Sequence, residues 1–278
     1  MCRLFGLHAG REPVHASFWL LDAPDALLAQ SRRNPDGFGI GTFEPDGSPD
    51  LDKAPTPAYD TSLYASEARA ERSRTYVAHV RYASVGGLTY ENTHPFEQDG
   101  RLFAHNGVVG FDPATPVDRS LVRGDTDSER LFAAITLAIR AHGGDVDAGI
   151  RAATRRLAAE VELYSLNFVL TTPDELWALR YPEHNELFVL ERTCGAELDQ
   201  RGERGIQVRS HEAAGRRVVV VASERMDDQD GWDPLAPGEL VHVDAALRVT
   251  REIVLPDPPA RPMSLTPREA DSQAQDGG

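Results

Sequence analysis

Two amphipathic helices in the middle of the chain, with strand-like segments on both sides, constrain the fold most strongly. Asp125 or Thr126 can cap the first helix, and the glycine pair at 143–144 ends it. Asp145 starts the second helix directly afterwards. Because the helices are adjacent in the sequence, we expect them to pack on each other. This order of strands, a helix pair and further strands predicts two sheets covered by helices in one domain.

Short apolar segments bounded by turn residues predict the remaining elements. We interpret the following segments as strands: 2–8, 38–43, 75–82, 101–106, 164–171, 175–181, 186–191, 216–222, 239–244 and 247–254. Two further helices and two Asp-rich loops complete the pattern: helices 24–33 and 61–72, loops 44–60 and 223–237. The composition after residue 255 predicts a folded domain over 1–255 and a disordered tail over 256–278.

Charge and hydropathy exclude several classes of partner. The 44 acidic residues outnumber the 29 basic ones, and the resulting net charge of −15 repels phosphate backbones. No apolar run approaches the roughly 20 residues of a membrane-spanning helix, and the N-terminus does not resemble a signal peptide. We therefore expect a cytoplasmic protein that binds neither nucleic acid nor membrane. Two cysteines and scattered histidines predict neither a disulfide framework nor a metal site.

Cys2 becomes the first residue of the chain if Met1 is removed, and cysteine is small enough to permit that removal. An α-amine has a typical pKa of about 7.7–8.0 and a cysteine thiol about 8.5, so the amine can act as a base near neutral pH. A thiolate that attacks a carbonyl passes through a tetrahedral oxyanion to a thioester. Taken alone, a cysteine at position 2 is weak evidence for this chemistry.

Several motifs in the first half of the chain accompany this cysteine. They are MCRLFG at the start, RNPDGFG at 33–39, HVRYASVGG at 79–87, NTHPF at 92–96, AHNG at 104–107 and GDTDSE at 124–129. In this order and spacing they resemble the class II glutamine amidotransferases, which are N-terminal nucleophile (Ntn) hydrolases. The resemblance implies an α+β fold, a four-layer α/β/β/α sandwich of two antiparallel sheets, and no cofactor.

The resemblance also implies which residues carry the reaction. Cys2 aligns with the nucleophile, and Asn106 and Gly107 align with the oxyanion hole. The side-chain amide of Asn106 and the backbone N–H of Gly107 would donate to the developing negative oxygen. The alternative for the last two residues is an ordinary Asn-Gly hairpin turn.

Three further residues align with those that hold the charged ends of the substrate. Arg81 would bind the α-carboxylate with two parallel hydrogen bonds, and Ser84 would assist it. Asp127 would pair with the α-ammonium, although Asp125 is close by and a first-turn aspartate also suits a helix dipole. Val85 stands where some family members have a histidine, so that contact is lost or replaced.

The remaining motif residues are expected to shape the pocket. Arg33, Asp36, Gly37 and Gly39 match a loop that lies near the nucleophile in the family. His94 looks like a possible general base, but the family does not require one there, and we interpret it as structural.

Three functions fit these residues. In the first, Cys2 attacks the side-chain amide of glutamine to give glutamate and ammonia, which would pass to a synthase on a separate chain. In the second, the same pocket hydrolyses a γ-glutamyl amide, since MCR and DGFG also resemble stand-alone enzymes of ergothioneine biosynthesis. Both substrates present the same charged ends, so Arg81 and Asp127 do not distinguish them. The third is a non-catalytic domain that binds a glutamyl ligand or a protein partner, against which the full set of motif residues argues.

Overall fold

Antiparallel sheets form the frame of the molecule. The structure is a computed structural model that describes residues 2–83, 86–112, 118–193, 216–267 and 269–270. The strands in these ranges are β1 (Arg3–His8), β2 (Phe38–Phe43), β3 (Pro49–Ala54), β4 (Thr75–Val80), β5 (Phe96–Gln98), β6 (Arg101–Asn106), β7 (Val109–Gly110), β8 (Glu162–Leu163), β9 (Asn167–Thr171), β10 (Leu176–Arg180), β11 (Phe188–Thr193), β12 (Arg217–Ala222), β13 (Trp232–Pro234), β14 (Glu239–Val243) and β15 (Val249–Ile253). The helices there are α1 (Leu27–Gln30), α2 (Ser62–Ala70), α3 (Asp127–Ala141) and α4 (Val146–Glu160), with a π-helical turn at Phe18–Asp22 and a 3-10 turn at Ala58–Asp60.

The strands build two large sheets that face each other. In the described part of the chain, the first sheet has the order β13-β11-β12-β1-β4-β2-β3, and the second has the order β15-β14-β10-β9-β6-β5. The short strands β7 and β8 pair separately. Neighbouring strands run antiparallel, for example β1 with β4 and β6 with β9. Strand β1 therefore lies inside its sheet, between β4 and β12.

Apolar side chains fill the spaces between four layers. Phe5 and Leu7 of β1 pack in an outer cluster with residues of α1 and α2. Phe103 of β6 packs in a second outer cluster with residues of α3 and α4. Leu4 of β1 and Ala104 of β6 belong to an inner cluster between the two sheets. Because side chains alternate across a strand, each sheet serves two clusters, and the predicted α/β/β/α sandwich is confirmed.

The helix pair forms as its sequence predicts. The hydroxyl of Thr126 accepts a hydrogen bond from the backbone N–H of Glu129 at 3.2 Å, which caps α3. The carboxylate of Asp145 caps α4 in the same way, accepting from Ala148 at 3.0 Å. A Cβ at Gly149 would lie 2.5 Å from the Ile139 side chain, so the two helices pack closely there.

Several elements differ from the sequence-based assignment: β3, β5, β7, β8 and β13 were not expected as strands, and an expected helix is shorter. The expected loop 44–60 contains β3, and the expected loop 223–237 contains β13. Each of these strands ends its sheet, and an edge strand does not need the apolar alternation by which buried strands are recognised. The expected helix 24–33 shortens to α1, which is a single turn.

The segment after β15 packs on the domain where it was expected to be disordered. The backbone N–H of Ala260 donates to the carbonyl of Ala158 at 2.9 Å, and that of Met263 donates to the carbonyl of Leu163 at 2.9 Å. Hydrogen bonds to the backbone of α4 and β8 thus hold residues 260–263 against the domain. The domain boundary at residue 255 stays a prediction, and residues 271–278 lie outside the described ranges.

Some sequence-based expectations fall outside the described residues. Ser84, Val85 and Cys194 are among them, so their predicted roles are not addressed by the structure. Within the described ranges, none of the helices combines the length and the apolar character that crossing a membrane requires.

Replacing Gly39 by alanine should destabilise the fold. A Cβ at position 39 would overlap the carbonyl oxygen of His94 and lie 2.8 Å from the side chain of Lys53. Overpacking of this kind typically costs about 1–3 kcal/mol of unfolding free energy, which urea denaturation measures. Gly87→Ala is the matched control, since a Cβ there would meet only Thr89, at 3.8 Å. Equal urea midpoints for the two variants would contradict this packing.

Candidate active site

Cys2, Arg81 and Asn106 face the space between the two sheets. Cys2 directly precedes β1, Arg81 directly follows β4, and Asn106 ends β6. Side chains on one face of a strand recur every second residue. Leu4, Val77 and Ala104 belong to the inner cluster between the sheets. Each of them lies an even number of residues from the candidate residue on its own strand. All three candidate residues therefore point inward.

Contacts between the sheets show that these residues lie at the same end of the sandwich. Gly41 of β2 pairs with Val77 of β4, and a Cβ at Gly41 would meet Leu102 of β6 at 3.0 Å. Two residues further along β4, His79 interacts electrostatically with His105 of β6. Strands β4 and β6 thus advance side by side, and their last residues meet at one end.

The thiol of Cys2 is held against the chain that leaves β4. The sulfur lies 3.3 Å from the carbonyl oxygen of Tyr82, to which it donates, and accepts from the N–H of Tyr82 at 3.2 Å. Only 9% of the residue is exposed. This burial raises the pKa of the thiol, while the Tyr82 backbone and the charges of Arg81 and Arg3 oppose the rise. A base close to the sulfur is therefore needed to form the thiolate.

The side chain of Asn106 is buried and has no hydrogen-bond partner among the described residues. It is 0% exposed, and within the described residues neither its Nδ2 nor its Oδ1 makes a hydrogen bond. Asn167, which stands opposite it on β9, differs completely. Its Nδ2 donates to Asn185 at 3.0 Å, and its Oδ1 accepts from Tyr181 at 2.9 Å. A buried amide without partners is costly, and a ligand oxygen in front of Nδ2 would offset that cost.

Gly107 cannot carry a side chain. A Cβ at this position would overlap the carbonyl oxygen of Ser165 and lie 2.7 Å from Nε2 of His105. The segment from Asn106 to Gly107 is thereby held against the start of β9, with the Ser165 hydroxyl donating to the Asn106 carbonyl at 3.2 Å. This close packing fixes the backbone beside the Asn106 amide.

Asp36 and Gly37 form hydrogen bonds with the backbone around Arg81. The N–H of Arg81 donates to the carbonyl of Gly37 at 2.8 Å, and the N–H of Asp36 donates to the carbonyl of Arg81 at 3.0 Å. The Asp36 carboxylate accepts from the N–H of Ala83 at 2.8 Å. The Arg81 guanidinium donates to the carbonyl of Gly87 at 3.0 Å. The loop thus fixes the backbone from Arg81 to Ala83.

Arg33 lies on the other side of the sheet from the thiol. Its guanidinium pairs with Glu224 at 2.9 Å and with Asp25 at 3.4 Å. Glu224 also pairs with Arg3, whose side chain is 1% exposed. Arg3 follows Cys2 in the chain and faces outward, so this cluster anchors the first residues of β1 from behind. Sequence motifs did not reveal Glu224, which lies more than 200 residues from Arg3.

The histidines His79, His94 and His105 are buried near the ends of β4 and β6. Burial lowers the pKa of His79 to about 3 and that of His105 to about 4. Burial also lowers the pKa of His94 well below its usual value, and the rings of His79 and His94 lie 4.2 Å apart. Such weakly basic rings are neutral at pH 7 and poor acceptors of a thiol proton. This favours the structural interpretation of His94.

Asp127 is better placed than Asp125 to meet a substrate. It is the first residue of α3, and its Oδ2 accepts from the N–H of Val109 at 2.8 Å. Burial raises the pKa of Asp127 to about 6, and its charge is felt at Arg81. Asp125 is exposed, and its backbone N–H donates to Asn92 instead.

One group of acidic residues could in principle approach a cation. Among the described residues, carboxylate oxygens of Asp50, Asp52 and Glu71 lie within 4.8 Å of one another. Burial and the neighbouring acids Glu67, Asp50 and Glu71 raise the pKa of Asp52 to about 6. Asp50 and Asp52 belong to the edge strand β3, and nothing in their surroundings indicates a ligand.

Known proteins share both the sequence pattern and the fold. Residues 1–261 match the family model of the glutamine amidotransferases class-II. The chain is 30% identical over 256 residues to the gamma-glutamyl-hercynylcysteine sulfoxide hydrolase of Mycobacterium tuberculosis, covering 87% of this chain and 93% of that protein. It is 26% identical over 295 residues to a probable glutamine amidotransferase of Saccharomyces cerevisiae, covering 87% and 82%. A glutamine aminotransferase class-II domain protein from Silicibacter pomeroyi has the same fold, with a TM-score of 0.60 at 22% identity over 92% of this chain and 100% of that one.

Replacing Asn106 by alanine should slow turnover without destabilising the protein. Losing one oxyanion donor typically lowers kcat about 100- to 1000-fold, as measured with a chromogenic γ-glutamyl anilide. Asn167→Ala is the matched control, since that amide is hydrogen-bonded within the protein. It should lower the unfolding free energy by about 1–3 kcal/mol. A kcat for Asn106→Ala within a few-fold of the wild type would support the hairpin-turn alternative.

Proposed function

The chain belongs to the class II glutamine amidotransferases, and we propose that it hydrolyses a γ-glutamyl amide with the thiol of Cys2 after removal of Met1. The observation that carries this proposal is the fully buried amide of Asn106, which has no hydrogen-bond partner in the part of the chain that the structure describes and lies on the inner face that Cys2 and Arg81 share. Family membership supports amide hydrolysis as the reaction. The residue-level assignment is our proposal.

The proposed reaction uses the α-amine of Cys2 as its base. The amine takes the thiol proton, directly or through one water molecule, and the sulfur attacks the γ-carbonyl carbon. Nδ2 of Asn106 and the N–H of Gly107 hold the oxyanion. The protonated amine then gives its proton to the departing nitrogen, so the C–N bond breaks and a thioester remains. Water, deprotonated by the same amine, hydrolyses the thioester to glutamate and frees the thiol.

Two features of the site favour the amine over other bases. Burial raises the pKa of the Cys2 thiol, so the thiol does not ionise by itself near neutral pH. Burial lowers the pKa of His79 to about 3 and that of His105 to about 4, which makes these rings too weakly basic. An α-amine with a typical pKa of about 7.7–8.0 suits the task.

The charged ends of the substrate would be held by residues from different elements. Arg81 is 3% exposed and projects inward beside Cys2, where its guanidinium can bind the α-carboxylate. Asp127, at the start of α3, would bind the α-ammonium. A substrate bound at its α-carboxylate and its α-ammonium has its γ-amide at a fixed distance from Arg81 and Asp127. The sulfur of Cys2 can then attack the amide carbon.

The leaving group defines two versions of this function. The relative in Mycobacterium tuberculosis is, by its name, a hydrolase of a γ-glutamyl compound, and the chain covers 93% of its length. This favours a substituted γ-glutamyl amide as substrate. The relative in Saccharomyces cerevisiae is named as a glutamine amidotransferase, which favours glutamine itself. Ammonia transfer to a separate synthase belongs to the second version, and a cytoplasmic location is part of both.

Turnover should require a free amine on Cys2. We expect intact-mass measurement to show that active protein lacks Met1 and that a diazoketone analogue of glutamine labels residue 2. Inserting a lysine between Met1 and Cys2 keeps the thiol but retains the methionine, and it should abolish turnover. Cys2→Ala should fold normally and neither turn over nor take the label. Activity in protein that retains Met1 would refute the proposed proton transfer.

Ligand binding should weaken as the pH falls through about 6. Burial raises the pKa of Asp127 to about 6, so the carboxylate that would pair with an α-ammonium is ionised above this pH and protonated below it. Calorimetric titration of Cys2→Ala with glutamate between pH 5 and pH 8 should show this loss, because Cys2→Ala binds without turnover. Asp127→Asn should bind weakly at every pH, whereas Asp125→Asn should behave as the parent. Binding by Asp127→Asn that equals the parent would remove this residue from the site.

A further inference from the structure

Asn92 is buried between the segment that follows Arg81 and the start of α3. Only 1% of the residue is exposed. Its Nδ2 donates to the carbonyl of Gly87 at 3.2 Å, and its Oδ1 accepts from the backbone N–H of Asp125 at 2.8 Å. One side chain thus joins residue 87 to residue 125 through two hydrogen bonds.

The carbonyl of Gly87 also accepts from the guanidinium of Arg81. Nη1 of Arg81 donates to this oxygen at 3.0 Å, so Arg81 and Asn92 meet at one acceptor. A change in the position of the Asn92 amide therefore moves a carbonyl that orients the guanidinium. In the proposed function, this guanidinium binds the α-carboxylate of the substrate.

At its other end, Asn92 fixes the turn that leads into α3. A Cβ at Gly124 would overlap Oδ1 of Asn92, so the turn lies directly against the amide. The Glu129 carboxylate accepts from the N–H of Gly124 at 2.7 Å, and Asn92 accepts from the next N–H, that of Asp125. The backbone is thereby fixed up to two residues before Asp127, which would bind the α-ammonium.

The two segments that Asn92 joins are also packed closely together. A Cβ at Gly86, where φ is +78°, would lie 2.9 Å from Nδ2 of Asn92 and 3.2 Å from Cγ2 of Thr126, the cap of α3. Both distances are shorter than an ordinary contact, so a side chain at position 86 would push the segments apart. The distance from the chain after β4 to the start of α3 is therefore set by packing as well as by hydrogen bonds.

We propose that Asn92 is a positioning residue that sets the spacing between the subsites for the α-carboxylate and the α-ammonium, and thereby makes the site selective for ligands that carry both groups. This inference rests on the proposed function. A ligand with only one of the two groups does not depend on this spacing. A ligand with both groups gains the second contact without further cost only when the subsites already match the distance between its charges.

Three ligands distinguish a spacing role from a general structural role. Glutamate carries both groups, glutarate lacks the α-ammonium, and 4-aminobutyrate lacks the α-carboxylate, while all three share the carboxylate at the γ end. Calorimetric titration in the Cys2→Ala background at pH 8 measures their affinities. Adding Asn92→Ala should lower glutamate affinity about tenfold, the usual effect of one or two lost hydrogen bonds. The affinities for glutarate and 4-aminobutyrate should stay close to those of the parent.

Gly86→Ala tests the same spacing from the other side and leaves Asn92 unchanged. Its Cβ would separate the two segments, so it should weaken glutamate binding in the same selective way. Gly100→Ala is the matched control, because Gly100 has a similar φ of +71° and a Cβ there would meet no described atom within 4 Å. It should bind all three ligands as the parent does. Gly86→Ala also decides the question if Asn92→Ala does not fold.

Gln98→Ala is the control for a general loss of stability. Nε2 of Gln98 donates to the carbonyl of Leu121 at 3.0 Å, so this buried amide also joins a strand to the segment before α3. Its removal should lower the urea midpoint and leave the ratio of the three affinities unchanged.

Two outcomes would overturn this inference alone. One is an equal weakening of all three ligands in Asn92→Ala, and the other is unchanged glutamate affinity in folded Asn92→Ala or Gly86→Ala protein. Failure of the wild-type chain to hydrolyse any γ-glutamyl amide would instead refute the proposed function.

Discussion

The proposed site depends on the buried, unpaired amide of Asn106 more than on any other feature of the described residues. An amide taken out of water without partners is expensive, and in most proteins such groups are hydrogen-bonded. Here the neighbouring Asn167 is fully satisfied while Asn106 is not. The apolar inner cluster offsets this cost, because it holds the two sheets together independently of Asn106. On the proposed mechanism, the stable core permits the Asn106 amide to stay unpaired until it donates to the oxyanion of the substrate.

The same burial separates the roles of the titratable groups. It makes the thiol of Cys2 harder to ionise and the three histidines too weakly basic to help. It also leaves Asp127 with a pKa of about 6, so its charge is easily lost and is best stabilised by a cation. On the proposed mechanism, burial therefore explains both why the α-amine acts as the base and why Asp127 would bind an ammonium group.

The sequence supported the architecture and the residues near the first strands, because these depend on local patterns. The caps at Thr126 and Asp145, and the motif around Asn106, are visible within a few residues. The edge strands β3 and β13 were missed because their polar sequences look like loops. The ion pair of Arg3 with Glu224 joins residues far apart in the chain. No local pattern encodes such contacts, and only the folded chain reveals them.

The position of β1 has a consequence for how such an enzyme matures. Strand β1 lies between β4 and β12, and Cys2 at its start is almost completely covered. An aminopeptidase has to draw an extended terminus into its own cleft, which a docked central strand does not allow. On the proposed mechanism, excision of the initiator methionine therefore competes kinetically with the docking of β1. A chain that folds before excision stays stable but inactive. The active fraction is therefore set by how many chains lose the methionine during synthesis, before β1 docks.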